Sequence, residues 1–190
     1  FAQIYYKYCA AGVKSNEDEP DTLADTKTES IRYWMYTPGE GSAMWDTFYK
    51  DGIMAIGWGE IGDLRAFNSK KAMKQKMKDT YDPTLTYMNA AHATWQFANE
   101  IKIGDVVFVK KGRSQIIGRG VVTSEYEYLE SDPSYPHRRL VNWTHKGEWP
   151  HPGGQAVLKT LTDITPYTDY VEKLCALFAA DTDDDKEEQI

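Results

Sequence analysis

The chain has 190 residues, 41 % hydrophobic and 13 % aromatic, enough to bury the core of one domain, which excludes disorder throughout. No apolar run approaches the roughly 18 residues that a membrane-spanning helix needs, so no membrane partner is expected. The net charge of −7 is uneven: residues 15–30 and 181–190 each hold six acids and one lysine, leaving 31–180 close to neutral.

The start at Phe1, with no charged-then-apolar leader, fits a piece of a longer protein without a secretory signal. Cys9 and Cys175 lie near opposite ends. They suggest reduced thiols in a cytoplasmic setting, with one staple between the ends as the alternative.

Residues 1–14 read as the end of an upstream element or an appended helix stopped at Gly12, and 15–30 as an acidic linker. The main domain is expected over 31–180. Residues 31–37 are rich in aromatic and branched side chains and read as a strand ended by PGEGS. Residues 43–52 read as a short helix, with Met44, Trp45, Phe48 and Tyr49 at helical spacing and Gly52 as its stop. Residues 53–58 are a second strand. A turn over 59–67 leads into a basic helix over 69–77, broken by Asp82-Pro83. Residues 84–99 read as a further helix with Leu85, Met88, His92, Trp95 and Phe97 facing inward. Two β-rich runs, 106–111 and 115–128, flank a glycine-containing loop and predict a hairpin. After a loop at 131–137 come a strand at 138–145, a Pro/Gly loop at 146–154 and a strand at 156–165. An amphipathic helix at 168–180 precedes an acidic linker at 181–190. Strands interleaved with helices predict an α/β (α+β) fold, a curved mixed sheet or small β-barrel flanked by helices.

Catalytic signatures are missing from this pattern. There is no G-x-x-x-x-G-K-[ST] loop and no G-x-S-x-G elbow. Gly57, Gly59 and Gly62 spell G-x-G-x-x-G after a strand. Trp58 stands where a pyrophosphate needs small residues, however, and no βαβ unit follows. His145 and His151 have no cysteine or carboxylate at metal-ligand spacing. The expectation is a binding module rather than an enzyme, with no cofactor and no metal. Positive charge is clustered at Lys70, Lys71, Lys74, Lys76 and Lys78, at Lys110, Lys111 and Arg113, and at Arg138 and Arg139. The first run fits a solvated helix face; the other two, with Arg119, are the better candidates for phosphate contacts.

The succession RYWMYTPGEG, WDTFYKDGIMAIGWGEIGDL, ANEIKIGDVVFVKKGRSQIIGRGVVTSEYEY and RRLVNWTHKGEW resembles the EVE/YTH-like branch of the PUA-like superfamily. More narrowly, it resembles the modules upstream of the AAA+ GTPase motor in McrB-type modification-dependent restriction proteins. The resemblance covers about residues 31–178 and implies a curved sheet whose mouth cages one flipped-out, methylated base in DNA. It also implies a motor and a nuclease partner subunit beyond this chain. By position, Trp58 at the end of the second strand is the pocket wall. Tyr36 and Thr37 would contact the base edge, where YTH domains usually show Lys-Ser. Tyr126 or Tyr128 would supply a second wall, one of the two because strand neighbours alternate. Trp143 is a pocket or core residue, Trp34 and Trp95 core, and Trp149 either touches nucleic acid or covers the end of the barrel. The alternatives are an RNA-binding PUA-like module without preference for a modification and a protein-interaction domain whose aromatics are all core. The domain alone is expected to be a monomer.

Overall fold

The first strand, β1 (Tyr33–Tyr36), is short because Pro38 follows, and its last three residues are buried. The computed structural model of the protein describes residues 30–153 and 159–179. The expectations for 1–14, 15–30 and 181–190 therefore lie outside the described residues. Side chains alternate along β1. Trp34 and Tyr36 enter one hydrophobic core and Met35 enters another on the opposite face. The Trp34 indole donates to the buried Asp105 carboxylate at 2.9 Å, which also accepts from the amides of Arg32 and Lys102. One carboxylate thus sets the start of β3 (Val106–Lys111) beside β1, and the two strands run parallel.

Among the described residues the sheet has seven strands in the order β2 (Ile53–Ile56), β6 (His137–Pro150), β4 (Gln115–Val122), β3, β1 and β7 (Leu161–Asp163), with β5 (Glu127–Tyr128) also on β6. Apart from β1/β3 every pairing is antiparallel, so the sheet is mixed and open, and the expected curved sheet flanked by helices is what forms. β2 (Ile53–Ile56) is buried throughout. β3 and β4 (Gln115–Val122) make the expected hairpin. The sequence reading of 146–154 as a loop is corrected. β6 (His137–Pro150) runs through Lys146 and Trp149 because β4 supplies partners as far as Gln115↔Pro150, and Pro150 is tolerated at the strand end. Register shifts in the β4/β6 ladder add bend. Of the strand expected at 156–165, residues 156–158 lie outside the described residues, and β7 spans Leu161–Asp163.

α1 (Trp45–Asp51) stops at Gly52, whose φ of 66° is the left-handed cap that glycine adopts at low cost. α2 (Lys70–Thr80) starts where Ser69 Oγ accepts from the Ala72 amide at 3.1 Å, and Met73 and Met77 face inward. α3 (Met88–Asn99) starts four residues later than the sequence suggests, after Tyr87, and so buries Ala91, Thr94 and Phe97. Leu85 and Met88 are 52 % and 65 % exposed, and His92 is also exposed, against the expectation that they face inward. α4 (Thr168–Ala179) buries Val171, Leu174 and Phe178 on the opposite face of the sheet, against Phe108 and Ile116. Cys175 on α4 is disulfide-bonded, against the reduced-thiol reading. No helix among the described residues is long and apolar enough to cross a membrane.

Candidate functional site

Trp58 follows β2 in a left-handed conformation, φ 68°, which costs a side-chain-bearing residue about 1 kcal/mol or more. Its surroundings hold it there. The Trp58 carbonyl accepts from His137 Nε2 at 3.2 Å. On the other side His137 Nδ1 lies 2.8 Å from the Tyr126 hydroxyl, and with the ring neutral that hydroxyl donates to it. That hydroxyl in turn accepts from the Leu64 amide at 3.1 Å. The imidazole is fully buried, stacked against the rings of Tyr126 and Tyr128 with centroids at 5.9 and 5.5 Å. Burial lowers the His137 pKa, opposed by the Trp58 carbonyl and by Asp63, and raises that of Tyr126. At Gly59 the Pro133 carbonyl lies 2.5 Å from where a Cβ would stand, so the 131–136 loop packs onto bare backbone.

The Trp58 ring meets two tyrosines that sequence reasoning missed. Its centroid lies 5.4 Å from Tyr81 and 5.9 Å from Tyr87, edge to face, and the two tyrosines are 6.4 Å apart. Tyr81 caps the end of α2 and Tyr87 the start of α3. Between them Asp82 accepts from the Thr84 amide and hydroxyl, and the Asp82 amide donates to the Tyr87 hydroxyl at 2.9 Å. Tyr87 has φ 50°; among the described residues the left-handed non-glycines are Ser42, Trp58 and Tyr87. Two of the three are thus ring partners in one cluster, beside Tyr81, which is 37 % exposed. Backbone strain that the surroundings enforce is a mark of functional positions. The available signal was YDPTLTY, a turn sequence flanked by two large rings that a plain connector does not need.

The structure brings Trp58, Tyr126 and Tyr128 together through His137 and separates the other expected cage residues from them. Tyr36 is fully buried, donating to the Ala55 carbonyl at 2.5 Å and accepting from the Ala55 amide at 3.1 Å. It bridges β1 and β2 in the core, so its expected place at a base edge is corrected. Trp143 donates to the Phe48 and Ile53 carbonyls and packs on Trp45, tying α1 to β2. Thr37 lines a small pocket of about 260 Å³, and its hydroxyl has no hydrogen-bond partner among the described residues. Tyr126 and Tyr128, with Arg65 and Arg138, line another of about 300 Å³. Trp34 is core, as expected, and Trp149 packs on Phe178 under α4.

The expected phosphate contacts divide by burial. Lys111 and Arg113 are exposed on the β3–β4 hairpin. Arg138 is half-buried and pairs with Glu127 at 3.9 Å, and Lys110 is 3 % exposed. Arg119, 8 % exposed, donates to Thr144 Oγ1. Arg139, 1 % exposed, donates to the carbonyls of Phe97, Ala98 and Ser124. Its guanidinium fork thereby closes the end of α3, and its expected phosphate role is corrected: that charge is spent inside the fold. Among the described residues no group of His, Cys, Asp and Glu is arranged to hold a metal ion.

A family model described as "Domain of unknown function (DUF8426)" matches residues 34–168. No curated protein matches the chain. A solved structure described as "YTH domain-containing protein mmi1 and RNA complex" is similar at a TM-score of 0.41 and 15 % identity, over 77 % of this chain and 80 % of that chain.

Proposed function

Since the chain belongs to the DUF8426 family, whose description assigns no activity, we propose from the site itself that the domain binds nucleic acid without catalysis, stacking a base on the Trp58–Tyr81–Tyr87 cluster. One observation carries this reading: the exposed Tyr81 ring stands beside two aromatic residues whose backbones are both held left-handed. An ordinary core aromatic needs no such backbone, whereas a surface platform has to be rigid before its ligand arrives. A base stacked on an aromatic ring gains about 1–3 kcal/mol, comparable with the cost of removing it from a duplex. A methyl group adds apolar area that stacking rewards.

The resemblance carried by GIMAIGWGEIGDL takes the proposal further, to a flipped methylated base in DNA. It also gives the domain a place as the specificity module of a McrB-like restriction system with an AAA+ motor and a nuclease subunit. Fluorescence-polarisation titrations test this with matched duplexes that are unmodified, cytosine-methylated or adenine-methylated, and with RNA of the same sequence. Tighter binding to one methylated duplex is expected. Tyr81→Ala and Trp58→Ala should each weaken binding by roughly 5- to 150-fold, while circular dichroism shows the fold retained. Equal affinity across the DNA panel removes the methyl preference. Tighter binding to the RNA removes the DNA assignment, and full affinity in both variants removes the aromatic platform.

A further inference from the structure

The lysine run on α2, which the sequence suggests is merely solvated, faces a groove. Lys70, Lys71 and Lys74 line it from α2, and Met88, Ala91 and His92 from α3, around a volume of about 460 Å³. Lys159 lines it as well. Lys159 also lines the separate pocket of about 260 Å³ at the end of β1, with Lys110, Thr37 and Thr160. The two cavities therefore share one lining lysine. Charge along them is overwhelmingly positive. Among their lining residues the carboxylate is Glu40, and Lys70 lies 3.8 Å from Glu100. In the second pocket Gly41 and Gly112 have left-handed φ of 58° and 61°, and a Cβ on either would meet nothing within 4 Å. Bare backbone therefore lies open to a ligand there. The groove is contiguous in sequence with the aromatic cluster, since Tyr87 directly precedes Met88.

We infer that the α2/α3 groove and the β1-end pocket, which share Lys159, form one track for the phosphodiester backbone of a single nucleic-acid strand. This rests on the proposed function. Two cavities that share a lysine and carry further lysines suit a chain of regularly spaced anions, because each ammonium is a point charge that holds a phosphate without reading sequence. Apolar Met88, largely exposed in the groove, suits the face of a base or a sugar. His92 is held below the ordinary imidazole range by partial burial and by the charges of Lys70 and Lys159, against Glu100, so the lysines rather than the imidazole supply the positive charge. On this inference the expected phosphate contacts at Arg119 and Arg139 are replaced by Lys71, Lys74 and Lys159.

The test uses the whole chain and a short fluorescein-labelled, unmodified oligothymidylate, titrated by polarisation across a series of salt concentrations. For single strands each neutralised phosphate contributes about 0.7 to the slope of log Kd against log salt. Lys74→Glu combined with Lys159→Glu should lower that slope by about 1.4 and weaken binding about tenfold, equally for every sequence. A control with the same change in net charge, Lys50→Glu with Lys173→Glu on exposed faces of α1 and α4, should leave the slope within about 0.3 of the parent. If both pairs change the slope alike, the effect is net charge and the track is wrong. If the parent binds, Trp58→Ala weakens it, and the groove pair leaves the slope unchanged, the track falls and the aromatic platform stands. If the parent chain binds no oligonucleotide at any salt, both fall together.

Discussion

His137 shows how one side chain sets another at the site. Its Nε2–H holds the Trp58 carbonyl and its Nδ1 lies 2.8 Å from the Tyr126 hydroxyl, contacts that the neutral ring satisfies with that hydroxyl donating. Burial keeps its folded pKa below the usual 6.5. The unfolded chain therefore takes up the proton first as pH falls. The stabilisation is complete above 6.5 and is lost as the pH drops from there through the lower folded value. His92 and His151 shift the same way, again through burial. Thermal unfolding should fall in midpoint as pH is lowered below 6.5, and His137→Phe should flatten that dependence while lowering the midpoint at neutral pH. Arg139 gives a second expectation at this scale. Replacing it with Leu leaves the Phe97, Ala98 and Ser124 carbonyls without their donors and should cost on the order of 2–3 kcal/mol in urea unfolding. A surface phosphate ligand would show almost no such loss.

At the scale of elements, the β4/β6 ladder works because two glycines give way to two tryptophans. A Cβ on Gly120 would stand 2.5 Å from the Trp143 ring, and one on Gly118 would collide with Trp45. Those rings meet edge to face at 4.8 Å and fix α1 over the sheet. Gly120→Ala should therefore cost about 1–3 kcal/mol through overpacking, read as a shift in the urea midpoint. It should loosen the Trp143 indole from the Phe48 and Ile53 carbonyls, visible as a red shift in tryptophan emission. The α2–α3 connection is the other element that matters. Its Asp82 turn sets the distance between Tyr81 and Tyr87, so Asp82→Ala should weaken oligonucleotide binding with little change in stability, since the turn is exposed.

For the whole molecule, the sheet divides two hydrophobic cores. The larger lies under α1, α2 and α3 and reaches Trp58 and Tyr87; the smaller lies under α4. Phe178 packs on Phe108 at 5.9 Å and on Trp149 at 4.6 Å. Phe178→Ala should cost about 3–5 kcal/mol in denaturant unfolding. At temperatures where the variant stays folded, oligonucleotide affinity should match the parent, because the proposed platform draws on the other core.

The alternation of apolar residues and the turn residues determined most of the elements by themselves. The β3–β4 hairpin, the helix stopped at Gly52 and the amphipathic α4 were all legible, because each is fixed by contacts near in sequence. Trp58 was marked as a candidate by the family resemblance, from its place at the end of the second strand. What surrounds it was decided only by tertiary structure. The turn YDPTLTY marks the Tyr81–Tyr87 pair locally, but its meeting with Trp58, the burial of His137 and the inward turn of Arg139 depend on partners roughly 20 to 80 residues away, which no local pattern encodes. The strand extension through Trp149 was hidden for the same reason. Gly147 and Pro150 weaken the local preference for a strand, and the backbone partners on β4 outweigh it.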